Sequence, residues 1–133
     1  MYRYIMVMSQ HKAEMVAETH LGKNAYYISI TGCAENRANL GRIPEGNILR
    51  LSFDDVDSGD TAMTLAQAQQ VAQFVTENDI DLLIVHCGAG RSRSAGVAAA
   101  IMDHFNREGD VIFQRYTPNM HCYRMVMHAF NPN

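Results

Sequence analysis

The run Leu82-Leu83-Ile84-Val85 does most to limit what this chain can become. Four consecutive large apolar residues leave no polar face, so a strand here must be covered on both sides. Shortly afterwards Gly88 and Gly90 break the pattern, and from Ser94 to Phe105 small and apolar residues occupy nearly every position. A helix of that composition has no broad solvated face and must also be buried. A buried strand, a glycine-rich turn and a buried helix, in that order, form the kernel of an α/β fold.

The rest of the chain fits around that kernel. Tyr4–Met8 is a short apolar run that suits a first strand, and Ser9 can cap a helix in which Ala13, Val16 and Ala17 recur at helical spacing. Tyr26–Ile30 suits a second strand. Cys33–Gly46 holds Asn, Arg, Gly and Pro and reads as an irregular loop. Ile48–Phe53 suits a third strand, followed by an acidic loop over Asp54–Asp60 with a turn at Ser58–Gly59. From Thr64 to Thr76 the period changes: Leu65, Ala68, Val71, Ala72 and Val75 share one helical face. A last helix begins near Asn119, after Pro118, with Met120, Tyr123, Val126, Met127 and Phe130 on its apolar face. Strands alternate with helices, so we expect one α/β domain over residues 1–133, with a central, mostly parallel sheet and helices on both faces.

A chain of 133 residues buries enough surface to fold without a disulfide or a metal. Its formal charge of −3 argues against binding a long nucleic acid, which relies on a basic surface. Cys33, Cys87 and Cys122 are too few and too scattered for a disulfide framework. No secretory signal or membrane anchor is visible, and the expected setting is a reducing, cytoplasmic one in which thiols stay free.

The chemistry concentrates in Val85-His86-Cys87-Gly88-Ala89-Gly90-Arg91-Ser92-Arg93-Ser94. Gly88 and Gly90 let successive backbone N–H groups turn toward one point, which makes a concave anion site. The helix that starts there adds unpaired N–H groups and the positive end of its dipole. Arg93 supplies a planar fork that matches two phosphoryl oxygens. The same surroundings favour a thiolate at Cys87. A free cysteine with a pKa of about 8.5 is only ~3% ionised at pH 7. An electropositive loop can lower that pKa to roughly 3.5–7.5 and make the thiolate a main species.

These residues resemble the His-Cys-X5-Arg-Ser signature of the protein tyrosine phosphatase superfamily, filled here by His86, Cys87, Gly88–Ser92, Arg93 and Ser94. Ala89–Gly90 and Ser92–Arg93–Ser94 look most like the dual-specificity and small bacterial or phage branches. The order of strand, acidic loop, helix and signature strand extends the likeness weakly over about residues 45–130. The resemblance implies a dual-specificity phosphatase-like fold and hydrolysis of phosphate monoesters through a cysteinyl-phosphate, with no cofactor and no metal. It implies Cys87 as nucleophile and Arg93 as the clamp on phosphoryl oxygens. Ser94 is implied as the hydroxyl that eases departure of the thiolate, and the amides of Gly88, Ala89, Gly90, Arg91 and Ser92 as the cradle. The family's general acid is an aspartate after the preceding strand. Asp54, Asp55 and Asp57 are candidates, and the family pattern of strand, one residue, then aspartate selects Asp55.

The expected substrate is a phosphorylated protein, with phosphotyrosine first and phosphoserine or phosphothreonine beside it. Gly88 and Ala89 stand where lipid-directed relatives often carry basic residues. Alternatives are a phosphate-binding module without turnover, and a phosphatase for a phosphoinositide, nucleotide or RNA 5′-triphosphate. His86 reads as a group that holds the loop, and Asn119 and Arg124 belong to an element that braces the site. Arg91 either adds charge for a more anionic substrate or points to solvent. Arg37 and Arg42 are weaker candidates for substrate contact, from loop position alone. Cys33 and Cys122 read as structural or idle, with a protective disulfide to Cys87 as the alternative. The histidines show no metal-ligand spacing.

Overall fold

The computed structural model describes residues 1–132. Four strands form one sheet: β1 (Tyr2–Ser9), β2 (Tyr26–Thr31), β3 (Ile48–Ser52) and β4 (Ile80–Cys87), in the order β1-β4-β2-β3. Every neighbouring pair is parallel, so the sheet is wholly rather than mostly parallel. The helices are α1 (Gln10–Ala17), α2 (Leu65–Glu77), α3 (Arg93–His104), α4 (Asp110–Arg115) and α5 (Met120–Phe130). Short 3-10 turns occupy Gly22–Asn24 and Glu45–Asn47.

β4 is central because both of its faces are apolar. Leu83, Val85 and Cys87 face the larger core, where Ile28, Ile30, Leu51 and Phe53 of the sheet region meet Val71 and Val75 of α2, Val97 and Ile101 of α3, and Cys122 and Val126 of α5. Leu82 and Ile84 face the other side, where Tyr27, Ala13 and Ala17 of α1, and Ala38, Leu40 and Ile43 of the long loop form a smaller core. Helices therefore cover both faces, with α1 and the loop on one side and α2, α3 and α5 on the other.

Several boundaries move from the sequence reading. β1 and β4 extend beyond Tyr4–Met8 and Leu82–Val85 at both ends, because backbone pairing continues past the apolar stretches. α2 starts at Leu65, with Thr64 as its cap: the Thr64 side chain accepts from the Gln67 N–H, and the Gln67 side chain accepts in return from the Thr64 N–H. α3 starts at Arg93, one residue early. α4 was not foreseen: it is six residues long and buries only Ile112.

Register brings the working ends together. Ser9 of β1 pairs with Cys87 of β4, and Thr31 of β2 pairs with Ser52 of β3. The carboxyl ends of all four strands thus share one edge of the sheet, the usual place for a site in such folds. α3 carries small residues that admit α5 closely: a side-chain carbon at Gly96 would strike the Asn119 carbonyl. In the glycine loop Gly90 has φ +70°, and a side-chain carbon there would collide with the backbone of Met8 and Ser9. The loop is seated on the end of β1, and the Gln10 N–H donates to the Gly88 carbonyl at 3.2 Å. Gly90→Ala should therefore cost about 2 kcal/mol or more in chemical denaturation. Gly46→Ala, at an open position, should change stability by about 0.5 kcal/mol or less. Equal effects at the two positions would contradict this seating.

Candidate active site

Cys87 ends β4 on the larger-core face and is 2% exposed. Its sulfur lies 3.1 Å from the Ser94 hydroxyl. Burial pushes its pKa up. The Ser94 hydroxyl and the backbone N–H groups of Ser94, Gly90 and Ser92 outweigh that push and hold the thiol below its ordinary range. The loop thus stabilises negative charge in a place that desolvation alone would keep neutral.

Arg93 is buried at the first position of α3. One terminal nitrogen donates to the Phe53 carbonyl at 3.0 Å and lies 3.7 Å from the Glu35 carboxylate. Its Nε has no hydrogen-bond partner among the described residues. Another terminal nitrogen lies beside Gly88: a side-chain carbon built there would stand 3.4 Å away. The guanidinium is turned toward the loop, with donor capacity left for a ligand.

Glu35 was absent from the sequence reading. It sits in the loop that looked merely irregular, with the Gly32 N–H donating to its carboxylate at 2.6 Å. No local spacing marks it, because its partner Arg93 is distant in sequence.

The three aspartates separate by position. The Asp54 carboxylate accepts from the Cys33 N–H at 3.0 Å and faces that loop. Asp57 is exposed and, among the described residues, has a single long 3.5 Å contact from the neighbouring Ser58 hydroxyl. Asp55 is held over the glycine loop: the Ser92 hydroxyl and the Asn119 side-chain amide each donate to its Oδ1 at 2.8 Å. Asn119 also donates to the Val56 carbonyl at 3.2 Å, and its side-chain oxygen caps α5 by accepting from the Cys122 N–H. The Asn119 N–H donates to the Ser92 carbonyl at 2.9 Å, so α5, the acidic loop and the glycine loop are fastened by one residue.

His86 is fully buried on the opposite face of β4, with Nε2 2.6 Å from the Ser29 hydroxyl of β2. Burial pushes its pKa down to about 4, so it is a neutral brace at pH 7. Gly88, Ala89, Gly90, Arg91 and Ser92 form the loop itself, with Ala89 and Arg91 exposed. Arg124 lines an open groove of about 550 Å³ with Asp55, Val56, Asp57, Ser92, Asn119 and Met120. Arg42 lines a different groove with Ala17, Glu18 and Lys23, and Arg37 is exposed near Arg50, whose charge is disfavoured first by burial and then by the Arg37 charge. All three cysteines are free thiols, and burial pushes Cys122 up to about 12. Among the described residues no group of three His, Cys, Asp or Glu side chains is arranged to hold a metal ion.

No protein-family model matches the chain, and no curated protein matches its sequence. Solved structures do match its shape. PTPMT1 has a TM-score of 0.60 at 19% identity, over 97% of this chain and 90% of that one. PTPMT1 in complex with PI(5)P has a TM-score of 0.58 at 19% identity, over 97% and 91%. The PTP-2 phosphatase of Cydia pomonella has a TM-score of 0.62 at 18% identity, over 93% and 84%. The chain therefore has the protein tyrosine phosphatase-like fold.

The buried neutral imidazole has a consequence for stability. His86 binds a proton more readily in the unfolded chain, where its pKa is about 6.5, than in the fold, where it is about 4. Its contribution is intact above about pH 6.5 and is lost progressively as pH falls toward 4. Between about pH 7 and about pH 5 the native protein should lose roughly 2 kcal/mol more than a His86→Asn variant in urea titrations. Equal losses would show that His86 is not the group that titrates.

Proposed function

We infer that this protein is a metal-independent phosphatase that hydrolyses phosphate monoesters through Cys87, with phosphotyrosine in proteins as its substrate. The observation that carries the reading is the buried Cys87 sulfur, held below its ordinary pKa by loop amides and the Ser94 hydroxyl, beside a buried arginine with donors to spare.

The steps follow from the positions. The substrate phosphoryl group sits in the loop, its oxygens on the amides of Gly88 to Ser92 and on the Arg93 guanidinium. The Cys87 thiolate attacks phosphorus, and the bond to the ester oxygen breaks. Asp55 gives its proton to that departing oxygen, which would otherwise leave as a costly alkoxide or phenolate. Fixed donors around the equatorial oxygens stabilise the charge that develops there. In the second step the Asp55 carboxylate takes a proton from water, the water oxygen bonds to phosphorus, and the phosphorus–sulfur bond breaks. The Ser94 hydroxyl stabilises the returning thiolate.

Asp55 fits the acid role because its carboxylate is held over the loop, whereas Asp54 faces the Cys33 loop. Asn119 and Ser92 are positioning residues that fix it. The recessed sulfur supports a substrate whose phosphate stands away from its backbone, as in phosphotyrosine. A phosphoinositide is the second reading, because one structure that matches this fold is PTPMT1 bound to PI(5)P.

Purified protein should release phosphate from para-nitrophenyl phosphate in the presence of a chelator. Cys87→Ser should abolish turnover while the variant still folds. Asp55→Asn should slow phosphotyrosine peptide turnover by about a hundredfold or more. Its effect should be smaller on a substrate whose leaving group needs no proton. Full activity in Cys87→Ser would eliminate the covalent route, and an unchanged rate in Asp55→Asn would eliminate this acid.

A further inference from the structure

The three guanidinium nitrogens of Arg93 are not equivalent. Nη1 is taken by the protein: it donates to the Phe53 carbonyl at 3.0 Å and lies 3.7 Å from Glu35 Oε1. Nε has no hydrogen-bond partner among the described residues, and Nη2 lies beside Gly88. The edge formed by Nε and Nη2 is therefore the part of the fork left for two phosphoryl oxygens. Because the guanidinium is planar and rigid, whatever holds Nη1 decides where that edge points.

Two groups hold Nη1, and they differ in kind. The Phe53 carbonyl is neutral and set by the backbone. Glu35 supplies charge, and a buried guanidinium needs a counter-charge. Among the described residues Glu35 is the single carboxylate within ion-pair distance of Arg93. Its carboxylate is preset by its own turn. The Gly32 N–H donates to Oε1 at 2.6 Å, and the Glu35 N–H donates to the Gly32 carbonyl at 3.1 Å. A side-chain carbon at Gly32 would strike Oε1. The Cys33 N–H fastens the turn to Asp54, beside Phe53.

Resting on the phosphatase reading above, we propose that Glu35 is a positioning residue for phosphoryl transfer: its charge fixes Nη1 of Arg93 so that the Nε–Nη2 edge meets the equatorial oxygens of the transferring group. Glu35 acts through Arg93 and touches no substrate atom. Its effect is greatest in the transition state, where the fork must match oxygens spread into one plane.

The test measures kcat and KM on para-nitrophenyl phosphate for native protein, Glu35→Gln, Arg93→Lys and the double variant, with vanadate and inorganic phosphate as inhibitors. Glu35→Gln keeps the size and an acceptor for the Gly32 N–H but removes the charge. It should lower kcat about tenfold and change KM about twofold or less. Vanadate, whose adduct with a thiolate has the transition-state geometry, should bind about tenfold more weakly, and phosphate about twofold or less. In Arg93→Lys there is no fork to aim, so adding Glu35→Gln should change kcat by less than about twofold. Glu35→Ala, which also removes the acceptor, should match Glu35→Gln within about twofold. An unchanged kcat in Glu35→Gln, a loss confined to KM, a loss seen only in Glu35→Ala, or equal losses with and without Arg93 would overturn the proposal while leaving the phosphatase reading intact. Failure of the native protein to turn over para-nitrophenyl phosphate would instead overturn that reading, and this proposal with it.

Discussion

The molecule is organised around a sulfur that must carry charge where water is scarce. Cys87 is recessed at the end of the central strand, and burial alone would keep its proton on. What reverses the balance is a set of donors fixed by backbone geometry: the amides of Gly90, Ser92 and Ser94, and the Ser94 hydroxyl. Each of those donors is placed by something larger. Gly90 can take its positive φ against β1 only without a side chain, and Ser94 lies in the first turn of α3. The two-sided core around β4 then keeps the strand end and the helix start in fixed relation.

Polar braces complete that arrangement by fixing where the loop and its arginine point. His86 ties β4 to β2 through Ser29 on the side away from the sulfur. Glu35 and the Phe53 carbonyl hold the guanidinium of Arg93. Asn119 joins the glycine loop, the acidic loop and α5 in one set of hydrogen bonds. Because Glu35 is charged, the brace on Arg93 also colours the field that a substrate meets.

Legibility in the sequence followed the range of each interaction. β4 and α3 were readable because two-sided burial writes itself as unbroken apolar residues. The loop was readable because its glycines, cysteine and arginine lie within one short segment. Glu35 was not, since its role depends on Arg93, which only the sheet topology brings near. The hydrogen bond of His86 to Ser29 was hidden for the same reason. Helix α4 escaped notice because Ile112 is its single buried residue, which leaves no period to detect. Arg42, judged by its loop alone, lies in a groove lined by Ala17, Glu18 and Lys23, and not at the glycine loop.

The most direct test is the pH dependence of thiol alkylation, read residue by residue by mass spectrometry. Cys87 should reach half its maximal rate below the pH expected of an ordinary thiol, and that midpoint should rise in Ser94→Ala. Cys122 should stay unreacted there, since burial pushes its thiol to about 12. A Cys87 midpoint near the ordinary thiol value of about 8.5, unmoved by Ser94→Ala, would contradict the account.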